Sequence, residues 1–263
     1  MSIINRYPDN TNPLAVSLAF TDCMTTSGVE HRTLEENGNN DILLKYMVDA
    51  LQNHHTSQDA LQRHIDIIAS LRIANLPIPS SPYPHNSTTQ KGNFAEVFLA
   101  EYLSSTTDAQ LPIYRLRYNT NPDQSMKGDD VLLFDLDSDP VRIIVGESKF
   151  RSVPNKQSVV DIVDGLVRSN KAGLPVSLMF VAERLFQENK SELGQKVQNC
   201  AVLFAKNKLH IDYVGLLMSN HNAKNCINKH TENQLHSLLM ISLGMQNPEV
   251  IVEKAFEELE NRL

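Results

Sequence analysis

Apolar positions along this chain follow two periods, and the change from one to the other marks out its elements. From Leu14 to Phe20 they alternate, with Val16, Leu18 and Phe20 on one face, which predicts a strand. The polar run from Asp22 to Asn40 reads as loop. Asp41 to Asn53 and Ser57 to Ile73 read as helices. In the second, Leu61, Ile65, Ile68 and Leu71 recur at helical spacing, and Thr56 with Asp59 resembles a capping box. Pro77, Pro79, Pro82 and Pro84, among Ser80, Ser81 and Ser87, break regular structure and predict a linker. Thr89 to Leu103 is apolar nearly all round, the pattern of a buried helix. Ile113 to Tyr118 is expected to be a strand with Arg115 and Arg117 on one face.

Val131 to Leu136 and Val141 to Val145 are two short apolar runs on either side of the turn Asp137-Ser138-Asp139-Pro140. They predict an antiparallel hairpin. Helices are expected at Gln157 to Arg168, Pro175 to Gln187 and Ser191 to Lys206, with Pro175 in a first turn. His210 to Met218 follows as a buried strand, and Asn233 to Leu243 and Pro248 to Asn261 as closing helices. The pattern is that of an α/β protein with a mixed sheet flanked by helices. It divides into an N-terminal α/β appendage over 1–84, suited to docking a partner, and a core over 85–263 that ends in helices.

Composition narrows the function. The 263 residues are 41% hydrophobic, enough for a sizeable core. A net charge of −7 argues against wrapping nucleic acid by bulk electrostatics, yet leaves room for acidic residues gathered at a site. Cys23, Cys200 and Cys226 are odd in number and far apart, which fits a reducing cytoplasm. Met1-Ser2-Ile3-Ile4-Asn5 has no signal-peptide pattern, and no run is long enough to span a membrane. His54, His55 and His64 read as helix surface, and His221, Cys226 and His230 as residues of a polar loop rather than a zinc site. The last helix is acidic and reads as a solvated face.

The candidate chemistry lies around the hairpin. If its turn is centred between Ser138 and Asp139, Asp130 stands opposite Glu147, within reach of a shared divalent cation. Lys149 points the same way as Glu147, and Ser148 the opposite way. Asp129 takes the other face and ranks second; a one-residue slip would reverse the choice. Upstream, Glu96 interrupts the buried helix, where a carboxylate needs a partner, a proton or a metal. Gly92 lies one turn before it, leaving space for another backbone, and this favours Glu96 over Glu101. Arg115, Arg117, Lys127, Arg151 and Lys156 are candidate phosphate contacts, with a solvated face the competing reading of each.

Glu96 in a buried helix, Gly128-Asp129-Asp130 and Glu147-Ser148-Lys149 resemble the PD-(D/E)xK nuclease superfamily, with Asp129-Asp130 replacing the Pro-Asp pair. The resemblance implies that Glu96, Asp130 and Glu147 bind Mg²⁺, with Mn²⁺ as substitute, and that Lys149 assists catalysis; Gln157 is a possible further member. The stretch from Lys91-Gly92-Asn93-Phe94-Ala95-Glu96 to Gly146-Glu147-Ser148-Lys149-Phe150 resembles, over residues 85–220, the HamA family of nuclease subunits from the Hachiman antiphage system. That implies DNA as substrate and a HamB-like superfamily 2 helicase as partner in a heterodimer. No Gly-rich ATPase loop occurs in the chain. The competing expectation is a catalytically inactive nuclease fold that binds DNA and scaffolds a helicase.

Overall fold

One sheet of six strands runs through the molecule, in the order β1-β2-β6-β5-β4-β3. The structure is a computed structural model and describes residues 3–4 and 6–263. Met1, Ser2 and Asn5 lie outside the described residues, and with them part of the N-terminal stretch read for a signal. The strands are β1 (Leu18–Met24), β2 (Glu30–Glu36), β3 (Val131–Asp135), β4 (Val141–Phe150), β5 (Leu209–Asn220) and β6 (Leu238–Met245). The outer pairs β1–β2 and β3–β4 are antiparallel; β2, β6, β5 and β4 run parallel. Strands buried on both faces need near-continuous apolar runs, and β6 (Leu-Leu-Met-Ile-Ser-Leu-Gly-Met) is buried throughout.

Helices cover both faces. On one side lie α1 (Pro13–Ser17), α2 (Asn40–His55), α4 (Ser87–Thr106) and α9 (Pro248–Glu260), packed over Leu34, Ile144, Leu216 and Ile241. On the other lie α5 (Lys156–Ala172), α6 (Leu178–Gln187), α7 (Ser191–Ala205) and α8 (Ala223–His230), over Val145, Tyr213, Leu217 and Met240. α3 (Gln58–Ile73) precedes the proline segment, which has no helix or strand from 74 to 86. Among the described residues no helix is long and apolar enough to cross a membrane.

Several expectations are corrected. Leu14 to Phe20 is not one strand, because Asn12 accepts from Leu14 N and Pro13 starts a helical turn before β1. The stretch read as polar loop holds β2, whose His31, Arg32 and Thr33 are buried because partners elsewhere satisfy their polar groups: Ser242 for His31, Asp22 and Tyr102 for Arg32, and the Thr21 carbonyl for Thr33. Asn233 to Leu243 is not a helix: β6 starts at Leu238 and fills the gap between β2 and β5. Ile113 to Tyr118 is not a strand but contains a 3₁₀ turn over Arg115–Tyr118. Ser57, not Thr56, caps α3 by accepting from Ala60 N. Pro175 lies ahead of α6 rather than in its first turn, and Cys226 and His230 lie on α8 rather than in a loop. Because β2 pairs with β6, the N-terminal strands extend the core sheet, and residues Ile4, Leu14 and Leu43 share one apolar cluster with Phe94 and Phe98. The N-terminal region is therefore packed into the core, not set apart as an appendage.

Candidate active site

The hairpin register matches the turn-centred arithmetic: Val131 pairs with Gly146 and Leu133 with Ile144. Asp130 sits one step before β3, at the level of Glu147. Its Oδ2 accepts from the Ser148 backbone N–H at 2.9 Å and from the Ser148 hydroxyl at 3.1 Å. Strand alternation sends Ser148 toward α4 and sends Glu147 and Lys149 toward α5. Gly146, which shares the face of Ser148, shows the closeness of that packing: a Cβ there would meet Leu99 and Val131 at 2.9 Å. Asp130, at the strand end, lies between the two faces.

Lys149 Nζ donates to Glu147 Oε1 at 2.7 Å, and both side chains are largely shielded from solvent. Glu96, on α4, is 7% exposed and lies 2.8 Å from Arg115 Nε through Oε1. Burial pushes the Glu96 carboxyl up to about 8; Arg115 opposes this, while Asp130 and Glu147 add to it. Burial and then Asp130 push Glu147 up to about 7, against Lys149 and Arg168. Burial lowers Lys149, but the Glu147 carboxylate and the other acids outweigh it, so its ammonium is held more firmly than usual. The three carboxylates are thus electrically linked, and two protein cations sit directly on them.

Asp129 has a different role. It is 7% exposed and fully engaged: Ser169 Oγ donates to Oδ1 and Ser177 N to Oδ2, both at 2.9 Å, while its own N–H donates to Ser177 Oγ. It ties the start of the hairpin to α5 and to the loop before α6. Gly128 precedes it with φ of +114°, where a Cβ would come 2.5 Å from Ser177 Oγ, so a larger residue is excluded twice over.

A cleft of about 490 Å³ opens beside this group, lined by Glu96, Arg115, Asp130, Ser148 and Lys149; Glu147 does not form part of its wall. Lys91 and Arg151 also line it. Gly92 is exposed at its wall with nothing within 4 Å of a built Cβ, so it keeps the cleft open instead of admitting another backbone. Lys127 and Lys156 are exposed outside this cleft, and Gln157 donates to Asp161 on the surface of α5. Arg117 is directed to the Asn53 carbonyl and stacks over Tyr114. Glu101 is a structural anion: it accepts from Tyr46 at 2.8 Å and from His54 at 2.9 Å. His54 and His55, expected on the surface, are buried, because α2 packs against α4 along that side.

Among the described residues no three His, Cys, Asp or Glu side chains stand close enough to hold an ion as they are placed. The donor chemistry nevertheless suits a hard divalent cation. The acids are oxygen donors, and the way Asp130 raises both glutamates is the repulsion that an added cation relieves. Lys91 and Gly165 belong to this neighbourhood and were not singled out as site residues from the sequence, and Arg115, read there as a candidate phosphate contact, is paired with Glu96. Arg115 carried a signal only as one of two arginines, and Gly165 carried none.

A family model described as HamA matches residues 17–259. The Hachiman protein HamA of Bacillus cereus is 35% identical over 250 residues, covering 94% of this chain and 90% of that protein. The likeness reaches well beyond the span that holds the motifs and takes in β1, β2, α2 and α3.

Proposed function

The chain belongs to the HamA family, and on that footing we propose that it is a metal-dependent DNA endonuclease, the effector of an antiphage defence complex. In this reading a HamB-like superfamily 2 helicase restrains it, releases it and forms a heterodimer with it. The observation that carries the reading is the grouping at one sheet end of Asp130 on Ser148, Glu147 on Lys149 and the buried Glu96 on Arg115. Glu96, Asp130 and Glu147 would hold Mg²⁺ or Mn²⁺. A bound divalent ion supplies charge neutralisation at the phosphate and a more acidic water.

The chain's own residues supply the rest. Lys149 keeps its proton beside Glu147, so it offers an ammonium to a phosphate oxygen or to the attacking water. Lys91, Arg115 and Arg151 place positive charge around the cleft for the flanking backbone. With a net charge of −7, the chain gains its broader hold on DNA from the partner.

Titration of Mg²⁺ or Mn²⁺ against supercoiled plasmid, with and without the helicase, tests the reading. Metal-dependent nicking that is lost in Glu147→Ala and Lys149→Ala, with the fold intact, supports it. Full cleavage by either variant defeats it. The reading of a non-catalytic scaffold is favoured by one observation: Arg115 and Lys149 already neutralise two of the acids. It predicts no cleavage with any metal, while the intact chain still binds DNA and the helicase.

A further inference from the structure

Beside the cleft lies a second cavity of about 180 Å³ that the phosphate chemistry does not use. Its walls are mostly apolar and include Leu111, Ile113, Leu132, Val176 and Phe180. Glu96, Arg115, Met126 and Asp130 line both spaces, so the two meet across the carboxylates. A single water needs only about 10–15 Å³ on such a scale, so the cavity admits a group far larger than a few waters. Apolar walls also hold water poorly.

Most of its polar groups are already engaged. Arg115 is committed to Glu96 and to the carbonyls of Asp129 and Met126. Ser177 Oγ accepts from Asp129 N and keeps its own proton to donate. Lys127 is exposed and also lines the cavity. Phe180 presents a half-buried ring, fixed edge-on against Tyr118 at 5.9 Å and capped by Arg184.

We propose that this cavity receives a nucleobase turned out of the strand whose phosphate lies in the cleft, a reading that rests on the nuclease assignment. An occupant must be short, planar or apolar on its faces, and joined to whatever the cleft holds. A base meets all three conditions, because a single sugar connects it to its phosphate. Phe180 and the aliphatic walls offer stacking surface, which every base can use. His54, Glu96, Asp129 and Asp130 also line the cavity but already have protein partners, which leaves the Ser177 hydroxyl and the Lys127 ammonium to meet a base edge, so recognition is sequence-tolerant. Extruding a base costs least where it is mismatched, damaged or unpaired. The cavity therefore directs cutting toward single-stranded or distorted DNA, the kind of substrate a helicase produces.

The full chain, methyl-labelled at Ile, Leu, Val and Met, is titrated by NMR with a deoxynucleoside 5′-monophosphate and separately with deoxyribose 5-phosphate. The expected result is saturable shifts at Leu111, Ile113, Leu132 and Val176 with the nucleotide only. Val176 is 67% exposed, so Val176→Trp closes the mouth without disturbing the core. It should weaken nucleotide binding about tenfold or more at unchanged Tm. Equal shifts with the base-free sugar phosphate, or silent cavity methyls, overturn the proposal. Plasmid nicking is scored separately. Nicking with silent methyls removes this inference and leaves the nuclease reading; shifting methyls with no nicking under any metal does the reverse.

Discussion

Glu147 lies against Gly165: a Cβ built on that glycine would come 2.9 Å from the carboxyl carbon of Glu147 and 3.1 Å from Oε1. The space α5 leaves there is the space the carboxylate occupies. Gly165→Ala is therefore expected to push aside the flexible end of Glu147 while the helix itself gains up to about 1 kcal/mol in propensity. Metal-dependent nicking should fall roughly 10- to 100-fold, on the scale of a displaced catalytic group. Thermal unfolding should show a Tm equal to or above that of the parent. A drop in Tm with unaltered nicking would show that Gly165 serves only packing.

Asp129 and Asp130 are adjacent but separable. Asp129 accepts from Ser169 and Ser177 while buried, so Asp129→Ala leaves donors unsatisfied and should cost about 1–3 kcal/mol of stability. Asp130 is half-buried at the cleft, and Asp130→Asn should preserve stability within roughly 0.5 kcal/mol and remove nicking. Denaturant unfolding and plasmid nicking, run on both variants, would show the opposite pattern if the two roles were exchanged.

Arg115 holds the hairpin approach together through Glu96 and two backbone carbonyls. Arg115→Met should destabilise by about 1–3 kcal/mol, because the Glu96 carboxyl, already pushed up to about 8, takes a proton but is left buried without its partner. Adding Glu96→Gln removes the acid left without its partner and should recover part of that loss. A double-mutant cycle by denaturant titration measures it; strict additivity would mean that the pair is not coupled.

Two buried histidines predict acid sensitivity. Burial pushes His31 and His55 down to about 4. His55 needs its neutral form, because Nδ1 faces the Leu51 carbonyl at 2.8 Å and Nε2 faces the Asn93 amide at 3.0 Å. A folded-state pKa below the unfolded value of about 6.5 means that the unfolded chain binds more protons in between. Stability is full above pH about 6.5 and falls as pH drops toward 4, by on the order of 2–3 kcal/mol per histidine. Unfolding free energies measured from pH 7 to 4 should show this slope. Its size should be smaller in His31→Gln, if the fold tolerates that change. An unchanged slope would place the acid sensitivity elsewhere.

Much of the framework is legible in the residues because it is local. The two-strand hairpin closes over a short turn, so the centre of that turn between the apolar runs Val131 to Leu136 and Val141 to Val145 sets its register and puts Asp130 level with Glu147. Helices α2, α3, α4, α5, α7 and α9 also follow from local periodicity and caps. What lies outside that range is long-range pairing. Leu238 to Met245 is apolar enough for either a buried helix or a buried strand, and only the open edge between β2 and β5 makes it β6. The same pairing draws His31, Arg32 and Thr33 into the sheet against their polar character, and so makes the N-terminal region part of one core.

The sequence by itself determined which carboxylates and which ammonium stand on the hairpin, because strand alternation and turn length act between near neighbours. Only the tertiary structure decided that Arg115 falls on Glu96, that Asp129 is consumed by two serines and that Gly165 makes room for Glu147. Those contacts join segments 18 to 48 positions apart (Gly165 to Glu147, Asp129 to Ser177), and packing between layers, rather than any local period, brings them together.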